Sequence, residues 1–481
     1  MGARGRRVAR KCTRAPQAVV SITFIGFMAL TLTCVLCRPW LNAFLGFYGN
    51  VTERLFIPGK GEQPFSYSQF WKSRQRAVIS KAEDFGQGGL AADISSQLSG
   101  PCPRVYVYNN LSSFALDLSA QEASNQNNAF GNEAQVLQGQ PLTRNVNQYA
   151  LAKMMWHRLL RDDAECREHD ASRADLFFIP VFAKPKKQRE WNYTCASEEK
   201  NALITEHILE LEHFNEATAC RHFFVIGKGH YNAKCTGWFY KPTGLLARTL
   251  RISYSYHPTD SQLADGSLYE HGSYEDSAEK YPNMFSVPYP SSFHWSPSQK
   301  ELRTKSVRKI LMLFLGSDSH GDTEVRQLIH KLCSSYGDES ICKYASYTSL
   351  QKAASLKATS QFCLEPGGDS PWRKSISESV VMGCIPVTFS SATAGVAPWH
   401  WGGWRALGHV PVPRKAFLRG KIDLKKLLQS IPNELLSSMR DAISQNSEKW
   451  QYSVDDSYDN DAFQVTIKGL AAVAEENCKD R

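Results

Sequence analysis

From Pro101 onward, short apolar runs alternate with amphipathic stretches. Arg104 to Tyr108, Asp175 to Val181 and His222 to Ile226 are β-rich runs, and between them Val146 to Asp162 and Glu198 to Asn215 carry helical spacing. A second series opens with Ile310 to Leu315 and passes through a helix near Thr323 to Ser334. It then reaches a strand at Phe362 and another at Ile385 to Phe389. Strand–helix alternation predicts parallel sheets covered by helices on both faces. Two such series predict an α/β protein of two Rossmann-like domains, 101–295 and 296–450, facing a cleft, with ligands at the strand ends. After Ile431-Pro432 a helix is expected to about Trp450, and 451–481 is expected to pack back across both lobes.

The pattern before Pro101 is different. Ala15 to Cys37 holds no charged residue, long enough at helical rise to cross a bilayer, and Arg4, Arg6, Arg7, Arg10, Lys11 and Arg14 flank only its N-terminal side. This predicts a cytosolic tail (1–14), a single transmembrane signal anchor (15–37) and a lumenal remainder. A cleaved signal peptide would have a shorter apolar run, and the segment is too apolar for an amphipathic transit helix. Residues 38–100 read as a stem, although the apolar cluster Phe65 to Trp71 marks a part expected to be ordered. Ser119 to Thr143, rich in Asn, Gln and Ala, reads as a long loop of the first domain.

Composition narrows the class. With 481 residues, 42% of them hydrophobic, the chain can bury two ordinary cores. The net charge of +9 shrinks to about +3 without the basic tail, which removes the case for a nucleic-acid partner. Of 13 cysteines, Cys12, Cys34 and Cys37 belong to the tail and membrane run, and an even number remains for a disulfide-permissive compartment. Cys333 and Cys342 are close enough to close a loop. Pairing among Cys166, Cys195, Cys220 and Cys235 is expected, and Cys363 and Cys384 read as buried thiols. Sequons at Asn50, Asn110 and Asn192 all fall on the lumenal side.

The chemistry concentrates in Phe362 to Phe389, read as strand, glycine loop, helix, tight turn and strand. Gly367, Gly368, Asp369 and Ser370 precede a helix that Ser370 would cap and Pro371 would open, so its N-terminus would favour a phosphate. Arg373 and Lys374 lie one turn before Glu378. The cations would neutralise a diphosphate and the carboxylate would accept from two ribose hydroxyls. Taken alone, the helix fits equally an amphipathic surface helix with a charge pattern.

With its loop, the segment resembles the exostosin-type glycosyltransferases, in particular the plant xyloglucan-galactosyltransferase-like branch. The matching pieces are Phe362-Cys363-Leu364, Pro366-Gly367-Gly368-Asp369-Ser370, Arg373-Lys374, Glu378 and Gly383-Cys384-Ile385-Pro386-Val387. Further pieces follow in the family's order: Cys102 to Tyr108, Ala174 to Val181, His222 to Val225, Val287 to His294, and Leu313 to Gly316 with Arg326 downstream. The resemblance implies a two-domain fold of the GT-B type and inverting transfer from a UDP-sugar (galactose, arabinose or uronic acid class). The acceptor would be a cell-wall or matrix polysaccharide or glycoprotein. It implies a Golgi type II membrane protein, no obligatory metal, and partnership with other glycosyltransferases. Donor-binding candidates are then Gly316, Arg326, Gly367, Gly368, Asp369, Ser370, Arg373, Lys374, Ser375 and Glu378.

Inverting transfer also needs a base. After the strand resembling His222 to Ile226, the branch carries an aromatic-aspartate pair, where this chain has Tyr231-Asn232. An amide is no base, so the adjacent His230 is the candidate. Trp372, where the family has a small hydroxyl residue, and Ser377, where it has an aromatic or apolar one, imply a changed donor pocket. These departures keep open a catalytically altered relative that binds nucleotide sugar or assists a partner. A reading of another class is a membrane-anchored lumenal binding protein. Asp459-Asn460-Asp461 has the form of a metal-binding triplet but its place near the C-terminus reads as structural, and Asp318 to Asp322 reads as a turn.

Overall fold

The computed structural model describes residues 65–84, 100–108, 142–180, 198–226, 242–254, 283–295 and 307–479, less positions 149, 162, 163, 347, 369, 391, 392, 394, 395, 455, 457 and 458. In chain order the principal elements are α1 (Tyr67–Asp84), β1 (Val105–Val107), β2 (Leu142–Thr143), α2 (Leu151–Leu160), β3 (Arg167–Glu168), β4 (Leu176–Phe178), α3 (Glu198–Leu209), β5 (His222–Val225), β6 (Leu250–Ser253), β7 (Met284–Ser286) and β8 (Phe293–His294). The second series comprises β9 (Ile310–Leu315), α4 (Thr323–Tyr336), β10 (Cys342–Ala345), α5 (Leu350–Thr359), β11 (Ser360–Glu365), α6 (Lys374–Val381), β12 (Ile385–Thr388), β13 (Val410–Pro411), α7 (Asn433–Asn446) and α8 (Ala462–Lys479).

Eleven of the strands form two wholly parallel sheets, ordered β3-β1-β4-β5-β6-β7 and β10-β9-β11-β12-β13, and β2 and β8 of the first series pair antiparallel apart from them. Within each sheet the strand second in sequence lies outside the first, so the order reverses between first and third strands. That is the doubly wound arrangement, which opens a crevice at the reversal: β1/β4 in one lobe, β9/β11 in the other. Both sheets are covered on both faces, as parallel sheets require. In β4 and β5, Phe178, Phe223 and Val225 enter one core while Phe177 and Phe224 enter another. In β9 and β11, Met312, Phe314, Phe362 and Leu364 face one core, and Leu313 and Cys363 the other.

Several expectations need correction. Cys363 and Cys384 are joined in a disulfide, because β11 and β12 are hydrogen-bonded neighbours and the two Cα atoms stand 5.8 Å apart. Cys166 pairs with Cys102 and Cys220 with Cys478, partners outside the expected group, while Cys333 and Cys342 do close their short loop. Cys195 and Cys235 lie outside the described residues. Helix α3 ends at Leu209, and α2 begins at Leu151 rather than Val146.

Phe65 to Trp71, the apolar cluster in the stretch read as stem, packs on the second lobe. Trp71 is buried in its core and donates through Nε1 to Leu427 O (3.2 Å) and Ser430 Oγ (3.0 Å), and Arg74 donates to Ala406 O and His409 O. At the other end of the chain, α8 lays Val465, Ile467, Leu470 and Val473 into the core of the first sheet. It also touches the second series, since His400 Nε2 meets Ala462 O at 3.1 Å and Trp399 packs over Gly469. Among the described residues no helix is long and apolar enough to cross a membrane, and Ala15 to Cys37 lies outside them.

Candidate functional site

An open cleft of about 290 Å³ lies at the C-terminal ends of β9 and β11, where the second sheet reverses its order. Its second-lobe wall is built from the turn after β9 (Ser317, His320, Gly321), Arg326 of α4, the glycine loop after β11 (Gly368, Ser370, Trp372) and the start of α6 (Arg373, Lys374, Ser375). Gln148 and Tyr289 line it from the first lobe.

The two loops are in backbone contact. Gly321 has φ +78°, and a Cβ there would fall 2.6 Å from the Cα of Gly368, so only glycine permits the approach. Gly367 O accepts from Asp322 N (3.3 Å) and from Arg326 Nε (2.8 Å), and Arg326 also donates to Ser317 O at 2.5 Å. Arg326 is buried and clamps one loop to the other, with its guanidinium on the cleft wall. At Gly316 (φ +150°) the guanidinium groups of Arg373 and Arg326 converge, at 3.5 and 3.7 Å from where a Cβ would stand.

The helix start differs from the expected one. Ser370 does not cap it and Pro371 is not its first residue. Ser370 Oγ donates to Trp372 O, Arg373 is extended (φ −139°, ψ 152°), and the helix opens at Lys374 without a side-chain cap. The buried indole of Trp372, packed among Trp450, Ile376 and Val380, holds 371–373 in this extended turn. Arg373 is left half-buried beside the loop, donating weakly to Pro366 O at 3.4 Å, with no carboxylate partner among the described residues.

Its neighbour Lys374 has another fate. The ammonium donates to Val146 O (2.8 Å) and Ser292 Oγ (2.6 Å), both in the first lobe, and pairs with Glu378 at 3.7 Å. Two hydrogen bonds and one ion pair thus occupy the ammonium. Burial lowers the Lys374 ammonium below its usual range while Glu378 pulls the other way. Lys374 therefore ties the lobes together, and Glu378 is its counter-ion.

Ser375 lines the cleft, but its hydroxyl donates to Glu365 Oε1 (3.0 Å) at the end of β11. Glu365 also accepts from Ser379 Oγ (2.6 Å), and Lys357 of α5 donates to Ser375 O (2.7 Å) and Ser379 Oγ (2.7 Å). This buried network seats the first turn of α6 on the strand that carries the glycine loop. Lys357, Glu365 and the two serines come from three successive elements, and their residue types gave no hint that they meet.

The acids near the cleft are spoken for. Asp322 caps α4 and accepts two bonds from Arg414 (2.9 Å each), and Asp318 accepts from His330 (2.8 Å). The turn reading of 318–322 holds. Asp461 is engaged in the same way, by Ser453 N, Gln464 N and Arg158, which accounts for it as a structural residue. Among the described lining residues there are two arginines, one lysine, one histidine and no carboxylate. The site suits a polyanion.

His230 and Asp369 lie outside the described residues, as do Gly227, Lys228, Tyr231 and Asn232. Residue-type reasoning missed His320, Gln148 and Tyr289 as cleft residues. Tyr289 alone had a signal, since it lies in the Val287 to His294 piece.

The chain is 26% identical over 383 residues to "Xyloglucan-specific galacturonosyltransferase 1" of Arabidopsis thaliana, covering 71% of this chain and 53% of that protein. It is 25% identical over 324 residues to "Probable xyloglucan galactosyltransferase GT13" of the same plant, covering 63% and 65%. The chain thus spans half to two thirds of these relatives. A solved glycosyltransferase, AviGT4 of avilamycin A biosynthesis, aligns over 79% of this chain and 99% of its own at 13% identity and a TM-score of 0.33; the fold assignment rests on strand order instead. The Exostosin GT47 domain matches residues 100–394, which take in β1, the turn after β9, the glycine loop and all of α6, so the chain belongs to the exostosin GT47 family.

Proposed function

We propose that the chain is a glycosyltransferase that takes a sugar from a UDP-sugar and passes it, with inversion and without an obligatory metal, to a wall or matrix polysaccharide or glycoprotein. It would work in the Golgi lumen as a type II membrane protein held by Ala15 to Cys37. The observation that carries this reading is the cleft at the β9/β11 reversal, where Arg326, Arg373, Lys374 and His320 line one wall with no carboxylate among the described lining residues.

In this reading Arg373 meets the diphosphate directly and Arg326 holds both loops in place to receive it. Positive charge fixed beside the leaving diphosphate favours the transition state, in which negative charge grows on that group. In the same reading His230 takes the acceptor proton. The names of the relatives support a xyloglucan-type acceptor.

A second reading has its own observation: Asn232 stands where the branch has an acid. A relative without transfer activity would bind UDP and stop there. Calorimetry of the purified lumenal part with UDP, followed by a UDP-sugar hydrolysis assay, separates the cases. Binding with hydrolysis is expected. Binding without it supports the silent relative, and no UDP binding refutes the donor site and leaves a lumenal binding protein.

A further inference from the structure

The two walls of the cleft have different chemistry. The second-lobe wall is cationic, whereas Gln148 and Tyr289, from the first lobe, are neutral. Tyr289 is held by the fold rather than by a ligand. Its ring stacks on Tyr254 (centroids 4.2 Å apart, 16° between planes), and the Tyr254 hydroxyl accepts from Leu151 N (3.1 Å) at the start of α2. On one side of it in the chain, Pro288 O accepts from the buried Tyr452 hydroxyl at 3.0 Å. On the other, Ser292 Oγ accepts from Lys374. The result is a half-buried phenol ring, fixed before any ligand arrives, stacked on Tyr254, packed against the apolar cores on either side of it, and lining the cleft with the part left exposed. Gln148 stands exposed on the same wall, just ahead of α2, and offers an amide that both donates and accepts.

Resting on the donor-site reading above, we propose that Tyr289 and Gln148 form the subsite for the donor's sugar ring and that this subsite takes an uncharged sugar rather than a uronate. A nucleotide sugar carries its charge on the diphosphate, which the second-lobe cations attract. The sugar beyond it then faces the opposite wall. A rigid aromatic ring suits the C–H face of a neutral sugar, and an amide suits its hydroxyls. A uronate's carboxylate would instead need a cation or a charge-assisted donor there. Among the described lining residues the cation that reaches the first lobe, Lys374, is already held by Val146 O, Ser292 Oγ and the Glu378 carboxylate.

The test is calorimetry of the full-length chain, solubilised in detergent, with UDP, UDP-galactose and UDP-galacturonic acid. Wild type is expected to bind UDP-galactose at least about tenfold more tightly than UDP-galacturonic acid. Tyr289→Ala and Gln148→Ala should each lose about tenfold for UDP-galactose while UDP stays within about twofold, and Tyr289→Phe should retain most of the affinity. Gln148 is exposed, so its variant reads the subsite even if Tyr289→Ala fails to fold. Equal losses for UDP and UDP-galactose, no loss for either, or tighter binding of UDP-galacturonic acid would overturn the subsite. Wild type that binds no UDP would instead overturn the donor site on which it rests.

Discussion

The cations of the cleft and the arginine packed against the start of α8 face opposite surroundings. Arg158 is 1% exposed, donates to Asp461 Oδ2 (2.7 Å) and Ser453 O (2.8 Å), also reaches Asp456, and lies 4.4 Å over the Phe463 ring. Complete burial pushes the Asp461 carboxyl up while Arg158 pulls it down. Arg373 is half-buried, meets only a distant carbonyl and has no carboxylate partner among the described residues. A buried guanidinium with acids around it is part of the scaffold. One beside an open cleft, facing other cations, is electrostatically unfinished and calls for an anion. The same residue type thus serves two ends, and the count of neighbouring carboxylates tells them apart.

The broadest challenge to this contrast is to charge interior groups that have neither a paired acid nor an awaited ligand. Burial holds His222, His294, His400 and His409 at pKa values of about 3, against 6.5 when free, so all four are neutral in the fold. Their folded pKa values lie below the unfolded one, so the unfolded chain binds more protons between pH 6.5 and 3. Stability is then fully present above about 6.5 and lost as pH falls through that window, by up to about 1.4 kcal/mol per pH unit for each histidine. Thermal melts from pH 7.5 to 4.5 should fall steeply below 6.5. A flat profile would mean these side chains are not sealed from solvent.

Next in size is Arg158→Ala, which strands the Asp461 carboxylate in the core. The expected loss is about 3–5 kcal/mol in urea unfolding, with UDP affinity of the folded fraction unchanged. Marginal destabilisation would erase the proposed division between scaffold and site cations.

The smallest and sharpest test compares neighbours. Arg373→Ala should weaken UDP binding by about 10–100-fold while leaving unfolding free energy within about 0.5 kcal/mol of wild type. Lys374→Met should change UDP affinity by less than about threefold, because its bonds run to the first lobe. If the two substitutions weaken UDP equally, Lys374 is a phosphate ligand and its interlobe bonds give way on binding.

Much of the second lobe is legible in the sequence. Ile310 to Leu315 is the strand its apolar run predicts, α4 starts at Thr323 as expected, and the glycine loop does separate β11 from a helix. These are local matters, since side-chain periodicity and turn chemistry act over a few residues. The start of α6 was misplaced by three residues because burial of Trp372 outweighed the capping preference of Ser370 and the first-turn preference of Pro371. The first lobe is legible in part: β1, β4 and β5 fall within their apolar runs, whereas β3, β6 and β7, only two to four residues long, carry too short a pattern to be read.

By itself the sequence determined the two α/β series, the paired glycine turns and the presence of cations beside them, since each depends on neighbours in the chain. It could not assign those cations. Arg373 and Lys374 are adjacent and nearly equivalent as residue types, yet Lys374 is taken by Ser292, 82 positions away, and by Val146, 228 positions away. Likewise Cys220 finds Cys478 across 258 positions, and Tyr289 reaches the cationic cleft from the other lobe. Which charge is spent within the fold and which is left for a ligand is settled by contacts of that range, and only the packed chain contains them.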